Sequence, residues 1–376
     1  MGMYIERLLR DQIEKRWNDD RILLITGPRQ VGKTTLLHKI CTDKGDYLFL
    51  NGDDAATRES LTNISKKKWE NIIGRHKTVF IDEAQRIDSI ELGVKIIYDQ
   101  IKGVKVLLSG SSAIDLNSRM KEPLTGRKWE FSLFPISWKE YMDHSNFIEA
   151  RGDLENRLIF GMYPEVMTNA HDQEDLLYEL ANSYLFKDLY EYQGIRNPEM
   201  LTKLLVALAL QMGNEVSYNE LAQLLQIDRA TVEKYISLLE KTFVIFRLPA
   251  LNTNKRNELK NTRKIFFYDN GIRNAVLKNF NPLSLRNDVG ALWENFLIAE
   301  RMKYNYYSRI RHNAFFWRNY HQQEVDYVEE IKGQFYPFEF KWNPKKKAKL
   351  PSSFSKHYGD SHFEIIHRDN FEEFVV

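Results

Sequence analysis

The chain has 376 residues, 43% hydrophobic, 28% charged and 13% aromatic. That length suggests two or three domains, and the composition excludes a disordered or fibrous chain. No apolar run approaches the roughly 20 residues of a bilayer-spanning helix, so no membrane association is expected. The N-terminus "MGMYIERLLRDQIEKRW" is charged throughout, without a signal-peptide core or, after Gly2, the myristoylation pattern. The lone Cys41 excludes an intramolecular disulfide framework and cysteine-built zinc clusters, and a reducing, cytoplasmic location is the expectation. A net charge of +2 leaves any nucleic-acid role to local basic runs: "SKKK", "NTNKRNELKNTRK" and "KWNPKKKAK".

The first chemistry-bearing element is "RILLITGPRQVGKTTLL". An apolar strand over residues 22–25 enters a glycine-rich turn and a helix start, and Gly27, four residues, then Gly32-Lys33-Thr34 match the phosphate-loop pattern in its required context. Glycines let backbone N–H groups approach phosphates, and the helix N-terminus adds positive potential. The run Gly27, Pro28, Arg29, Gln30, Val31, Gly32, Lys33, Thr34 and Thr35 is expected to bind ATP. Lys33 would reach the β- and γ-phosphates, and Thr34 would hold Mg²⁺.

A second strand, "TVFIDEAQ", ends in paired acids. Asp82 is placed to hold Mg²⁺ through water, and Glu83 to act as general base on the attacking water. A third strand, "VKVLLSGSS", begins near Val104 and closes on Ser109, Ser111 and Ser112. Ser111 is the catalytic candidate for touching the γ-phosphate or the water, with turn formation as the alternative for these serines. Arg29 and Arg127 are candidates to neutralise transition-state charge from the same or a neighbouring subunit, against the alternative of a surface ion pair or loop anchor. Apolar strands alternating with helices predict a parallel α/β/α P-loop domain over residues 1–145.

Together "GPRQVGKTT", "VFIDEAQ", "LLSGSS", "LTGR", "FSLFPISWKEY" and "GMYPEV" resemble, in this order, a group of bacterial and archaeal AAA-type ATPases that carry a C-terminal domain of unknown function resembling restriction endonucleases. "GALWENFL", "EVDYV" and "FEFK" extend the resemblance across nearly the whole chain. It implies an ATPase fold, a helical segment, a winged helix and a nuclease-like end. AAA-type relatives often form rings, which makes a homo-oligomer one assembly to expect.

Residues 146–197 read as a helical lid over the nucleotide, with "GMYP" as a turn. Residues 198–275 read as a winged helix-turn-helix. "PEMLTKLLVALALQMG" is one buried helix; Ser217 caps "YNELAQLLQ" with Glu220 three residues on; Asp228 caps "RATVEKYISLLEKT". Arg229, Thr231, Lys234 and Tyr235 would begin the recognition helix, and Lys255, Arg256, Lys260 and Arg263 would lie on the wing. DNA is the expected partner, and a protein partner the alternative.

Residues 276–376 are expected to form a restriction-endonuclease-like α/β domain. Such a core needs an acid from a helix, an acid on one strand, and Glu/Asp-x-Lys on the next. "DVGALWENFLIAERMKY" offers Glu294, "QEVDYVEEI" offers Asp326, and "QFYPFEFKW" offers Glu339 and Lys341, which alternation puts on one face. Asp326 and Glu339, completed by Glu294, would bind a metal ion beside Lys341, with Glu324 as a further acid nearby. Strand-edge charges on a solvent-facing hairpin are the alternative. Two functions follow. One is an ATP-hydrolysing protein that engages DNA through its winged helix and nuclease-like domain; the other is a nucleotide-switched regulatory protein with an inactive nuclease-like domain that acts on a protein partner.

Overall fold

Strands β1 (Ile22–Thr26) and β3 (Thr78–Asp82) are buried along their whole length, as apolar strands covered on both faces must be. With β2 (Leu48–Asn51), β4 (Lys105–Gly110) and β5 (Lys128–Ser132) they form a parallel sheet in the order β2-β3-β4-β1-β5. In this computed structural model the described residues are 4–110, 124–184, 197–251, 263–359 and 362–376. They divide into two units, residues 4–135 with 241–243 and residues 136–240 with 244–376.

In the first unit the sheet packs through Leu24, Ile81 and Leu108 on helices that contribute Trp69, Val94 and Ile97. Each such fully buried aliphatic side chain is worth roughly 1.5–3 kcal/mol. The helix Lys33–Lys44 leaves β1 through the glycine-rich loop, as the sequence predicts. Because β4 lies between β1 and β3, the ends of three strands meet beside that loop.

The second unit begins earlier than the expected boundary at residue 145, since "ISWKEY" (residues 136–141) is built into it. Ser137 and Glu140 form a reciprocal capping box on the helix Trp138–His144. The Trp138 amide donates to Glu300 at 2.6 Å, and Lys303 joins Glu300 at 2.6 Å to the Ile136 carbonyl at 3.1 Å. "GMYP" is fixed the same way: Asp269 accepts from the Met162 amide at 2.6 Å, and a Cβ on Gly161 would stand 2.0 Å from the Asp269 carboxylate. Helices Leu154–Phe160 and Gln173–Glu179, expected as a lid, pack on the helix Asn270–Leu277 of their own unit.

The helices Pro198–Leu210, Tyr218–Leu225 and Arg229–Lys241 follow, capped by Asn197, Ser217 and Asp228. They accompany an antiparallel sheet of β6 (Glu215–Val216), β8 (Arg263–Phe267) and β7 (Ile245–Pro249), in that order. The wing candidates Lys255, Arg256 and Lys260 lie outside the described residues.

The last part runs from the helix Val289–Tyr307 through β9 (Asn313–Arg318), β10 (Glu324–Ile331), β11 (Gln334–Phe340) and the helix Ser352–Tyr358 to β12 (Glu364–Ile366). Its sheet order is β12-β11-β10-β9, antiparallel except for the β11–β12 pair, which the helix Ser352–Tyr358 connects as a crossover. A bulge interrupts β10 between Val325 and Val328. It lets both valines join Phe315, Trp317 and Phe354 in one core, although strict alternation would send them to opposite faces. Arg301 of the long helix donates to both oxygens of the buried Glu329, at 2.9 and 2.7 Å, tying helix to sheet. No helix among the described residues is long and apolar enough to cross a membrane.

Candidate functional site

The phosphate loop is shaped by contacts that tolerate few side chains. A Cβ on Gly27 would stand 2.1 Å from the Leu133 carbonyl oxygen, and Gly32 has φ +91°. The buried guanidinium of Arg7 donates to the carbonyls of Val31 and Phe134, each at 2.6 Å, and so clamps the loop from behind. Lys33 donates to the Gly27 and Pro28 carbonyls at 3.0 and 2.6 Å, which places its ammonium inside the loop.

Thr34 donates to Oδ2 of Asp82 at 2.8 Å, and the fully buried Ser109 donates to Oδ1. Glu83 follows in a left-handed conformation (φ 46°, ψ 43°), and Gln85 Nε2 donates to its Oε2 at 2.5 Å. Burial raises the Glu83 carboxyl above its ordinary value, Asp82 adds to this, and Lys33, Gln85 and Arg29 oppose it. Oxygen donors from Thr34 and Asp82 beside a lysine-bearing loop suit a hard cation such as Mg²⁺ together with a phosphate chain.

One described candidate, Arg127, does not join this group. Arg127 precedes β5, whose first residue pairs with Ile22 at the start of β1, whereas the loop leaves from Thr26 at the other end. Arg127 therefore sits at the end of the sheet away from the loop, where it pairs with Asp99 at 2.9 Å, and it does not reach a nucleotide bound by its own chain. Ser111 lies outside the described residues; among the described residues Ser109 meets Asp82. The register holds the signal for it, since Ile81 pairs with Leu108 and the next residues are Asp82 and Ser109.

These observations agree with the family comparison, in which residues 19–142 match an AAA domain. The first part of this chain is a P-loop ATPase domain similar to AAA domains. Residues 151–283 and 289–372 match two domains of unknown function, DUF8612 and DUF4143. The chain is similar to the uncharacterized protein Rv2008c of Mycobacterium tuberculosis, at 26% identity over 327 residues covering 85% of this chain and 70% of that one. It is also similar to an uncharacterized protein of Haemophilus influenzae, at 23% over 280 residues covering 69% of this chain and 70% of that one. Among solved structures it resembles the Walker-type ATPase PABY2304 of Pyrococcus abyssi (TM-score 0.54, 15% identity), covering 73% of this chain and 96% of that one, a likeness of fold.

Beyond the ATPase domain, the C-terminal candidates also come together. Beyond the ladder pair Tyr327–Phe338, Asp326 and Glu339 are the next residues along β10 and β11. The Phe340 amide donates to Asp326 Oδ2 at 2.8 Å, and Lys341 donates to Glu339 Oε1 at 2.6 Å. Glu294 reaches the same place from the helix Val289–Tyr307. The residue that sequence reasoning missed is Lys264 of β8. Its ammonium lies 3.0 Å from Glu294 Oε1 and 2.5 Å from Glu324 Oε1, with the residue 3% exposed. A lysine followed by the apolar run "IFF" was the available signal.

Burial raises Glu294 above the usual carboxylate range, Asp326 and Glu324 add to this, and Lys264 opposes it. Burial also raises Asp326 and Glu339. Burial works against the charge on Lys264, but Glu294 and Glu324 outweigh it and hold that ammonium above the ordinary lysine value. Among the described residues no group of three or more His, Cys, Asp or Glu side chains is arranged to hold a metal ion. With Lys264 between Glu294 and Glu324, the acids as arranged do not fit a divalent ion.

Proposed function

We propose that this protein hydrolyses ATP in its N-terminal domain and uses the nucleotide cycle to control how its remaining domains engage DNA. The observation that carries the first half is the Thr34–Asp82–Ser109 chain of hydrogen bonds beside Lys33 and Glu83. In this reading Thr34 and Asp82 would hold Mg²⁺, which would supply positive charge against the phosphates. Backbone N–H groups of the loop and Lys33 hold the phosphates, Glu83 orients the attacking water and accepts its proton, and Ser109 positions Asp82.

The second half rests on element order. Three helices with an antiparallel sheet of β6, β8 and β7 support reading this part as a winged helix, in which the Arg229–Lys241 helix would be the recognition helix. Helix, three antiparallel strands, helix and a parallel fourth strand support reading this part as a restriction-endonuclease-like core, in which Glu294, Asp326, Glu339 and Lys341 would be the chemistry-bearing residues. Since the acids do not fit a divalent ion as they stand, no cleavage step is assigned to them. That observation favours a second reading, in which the C-terminal domain binds without cutting and nucleotide state sets the affinity for DNA or a protein partner.

The test is ATP turnover with Mg²⁺, with and without duplex DNA, for the native chain and Lys33→Ala. Turnover abolished by the substitution and changed by DNA supports the proposal. Turnover indifferent to DNA, together with DNA affinity indifferent to nucleotide, removes the DNA half. Equal turnover in the native chain and the variant removes the ATPase half.

A further inference from the structure

The acid cluster of the C-terminal sheet already holds a cation that belongs to the chain. Lys264 comes from the antiparallel sheet of β6, β8 and β7, while Glu294 comes from the Val289–Tyr307 helix and Glu324 from β10. Asp326 is close enough to feel the Lys264 charge, and Glu339 is paired with Lys341. Four carboxyl groups thus surround two ammonium groups, an arrangement that an ordinary buried ion pair does not need.

The surroundings are built around Glu294. Gly213, at φ +78°, brings backbone so close that a Cβ there would lie 3.2 Å from Glu294 Oε2. The cluster also has an open side: the Glu324 and Lys341 side chains are 29% and 28% exposed, while Lys264 is enclosed. A divalent ion held by Asp326 and Glu339 and completed by Glu294 would draw on the Glu294 carboxylate that Lys264 now holds. Carboxylate oxygens bind Mg²⁺ at about 2.0–2.1 Å, so the ion and the ammonium would stand close together as like charges.

We propose that Lys264 is a resident cation that occupies the acid cluster in place of a divalent metal ion, so that the cluster takes up such an ion only when Lys264 withdraws. The proposal rests on reading these acids as a metal-capable cluster, and it makes the placement of β8 against the C-terminal sheet the control on that site. A further ion pair joins the two sheets at the same place, Arg318 of β9 to Glu215 of β6 at 3.2 Å, so Lys264 does not act as an isolated side chain.

The experiment measures Mn²⁺ binding to nucleotide-free protein in an Asp82→Asn background, which silences the ATP-site metal. The expected result is weak binding in the parent, at least tenfold tighter binding of one ion after Lys264→Met, and loss of that gain on adding Glu339→Gln. A folded Lys264→Met variant that binds no more tightly overturns the proposal. Tight binding already present in the parent and lost with Glu339→Gln also overturns it, while leaving the metal-capable cluster standing. No binding in any variant removes both ideas, whatever the ATPase assay reports. If Lys264→Met does not fold, amine acetylation of the native chain read by mass spectrometry decides the matter. Saturating Mn²⁺ should raise labelling of Lys264 at least fivefold with Lys345 unchanged, and no rise overturns the proposal.

Discussion

Ser109 donates its hydroxyl hydrogen to Oδ1 of Asp82, across the boundary between β4 and β3 and without exposure to solvent. Thr34 takes the other oxygen, so both sides of the carboxylate are assigned and its plane is fixed. Ser109→Ala removes one of these anchors and leaves the phosphate loop untouched. Turnover should fall roughly tenfold while nucleotide affinity changes less than about twofold, because only the positioning of Asp82 is affected. Steady-state rates and a fluorescent-nucleotide titration separate the two, and an unchanged rate would mean that Ser109 does not set the carboxylate's orientation.

Glu83 is held by Gln85 in a left-handed backbone conformation beside Asp82. As the proposed general base it should be needed for chemistry and dispensable for binding. Glu83→Gln is expected to bind ATP with near-native affinity and to lose turnover by roughly 100-fold or more, the usual worth of such a group. Lys33→Ala should lose nucleotide binding itself. Native turnover in the Glu83 variant would place the base elsewhere.

How much of this was legible in the sequence depended on whether a residue's neighbours were local. The loop from Gly27 to Thr34 and the acids Asp82 and Glu83 were readable because their pattern is written in consecutive residues. For Arg127 the sequence left a transition-state arginine and a surface ion pair both open, because it did not show that residues 128–132 form a strand parallel to β1; the Ile22–Lys128 pairing puts Arg127 at the end away from the loop. The serine at the end of β4 needed the β3–β4 register. That Glu294, Asp326, Glu339 and Lys341 lie near one another was readable from element type and spacing. Lys264 was not, because it was read as part of a basic surface run while it is buried between an acid of the Val289–Tyr307 helix and an acid of β10. The β10 bulge was equally hidden, since one extra residue leaves composition unchanged and reverses a face.

The clearance at Gly27 gives a sharper steric test. A methyl group there would meet the Leu133 carbonyl oxygen at 2.1 Å, and that carbonyl belongs to the backbone following β5. Neither side can yield without moving the loop, so Gly27→Ala should weaken nucleotide binding at least tenfold and cost stability of the order of 1–3 kcal/mol. Titration of nucleotide and urea unfolding check the two parts. Arg127→Ala is the contrasting case: its pair with Asp99 is partly exposed, so turnover of the isolated chain should be unchanged and stability should fall by less than about 1 kcal/mol.

Asp288, which precedes the Val289–Tyr307 helix, supplies a pH-dependent prediction. Its Oδ2 accepts from Arg273 at 2.5 Å and from Arg286 at 2.9 Å, and its Oδ1 accepts from Arg286 at 2.8 Å. Partial burial works against its charge, but hydrogen bonds from Arg286 and Arg273 outweigh that and hold the carboxyl down at about 2, against an ordinary value of 3.8. A carboxyl depressed on folding stabilises the native state above its unfolded pKa, and that stability is lost as pH falls through the folded value. After discounting for solvent screening, the contribution is roughly 1–2 kcal/mol, fully present at pH 7 and disappearing between about pH 5 and pH 2. Urea unfolding across that range should show the native chain losing roughly this much more stability than Asp288→Asn, whose curve should be flatter. Parallel curves would mean that the two arginines stabilise the fold equally well around a neutral side chain.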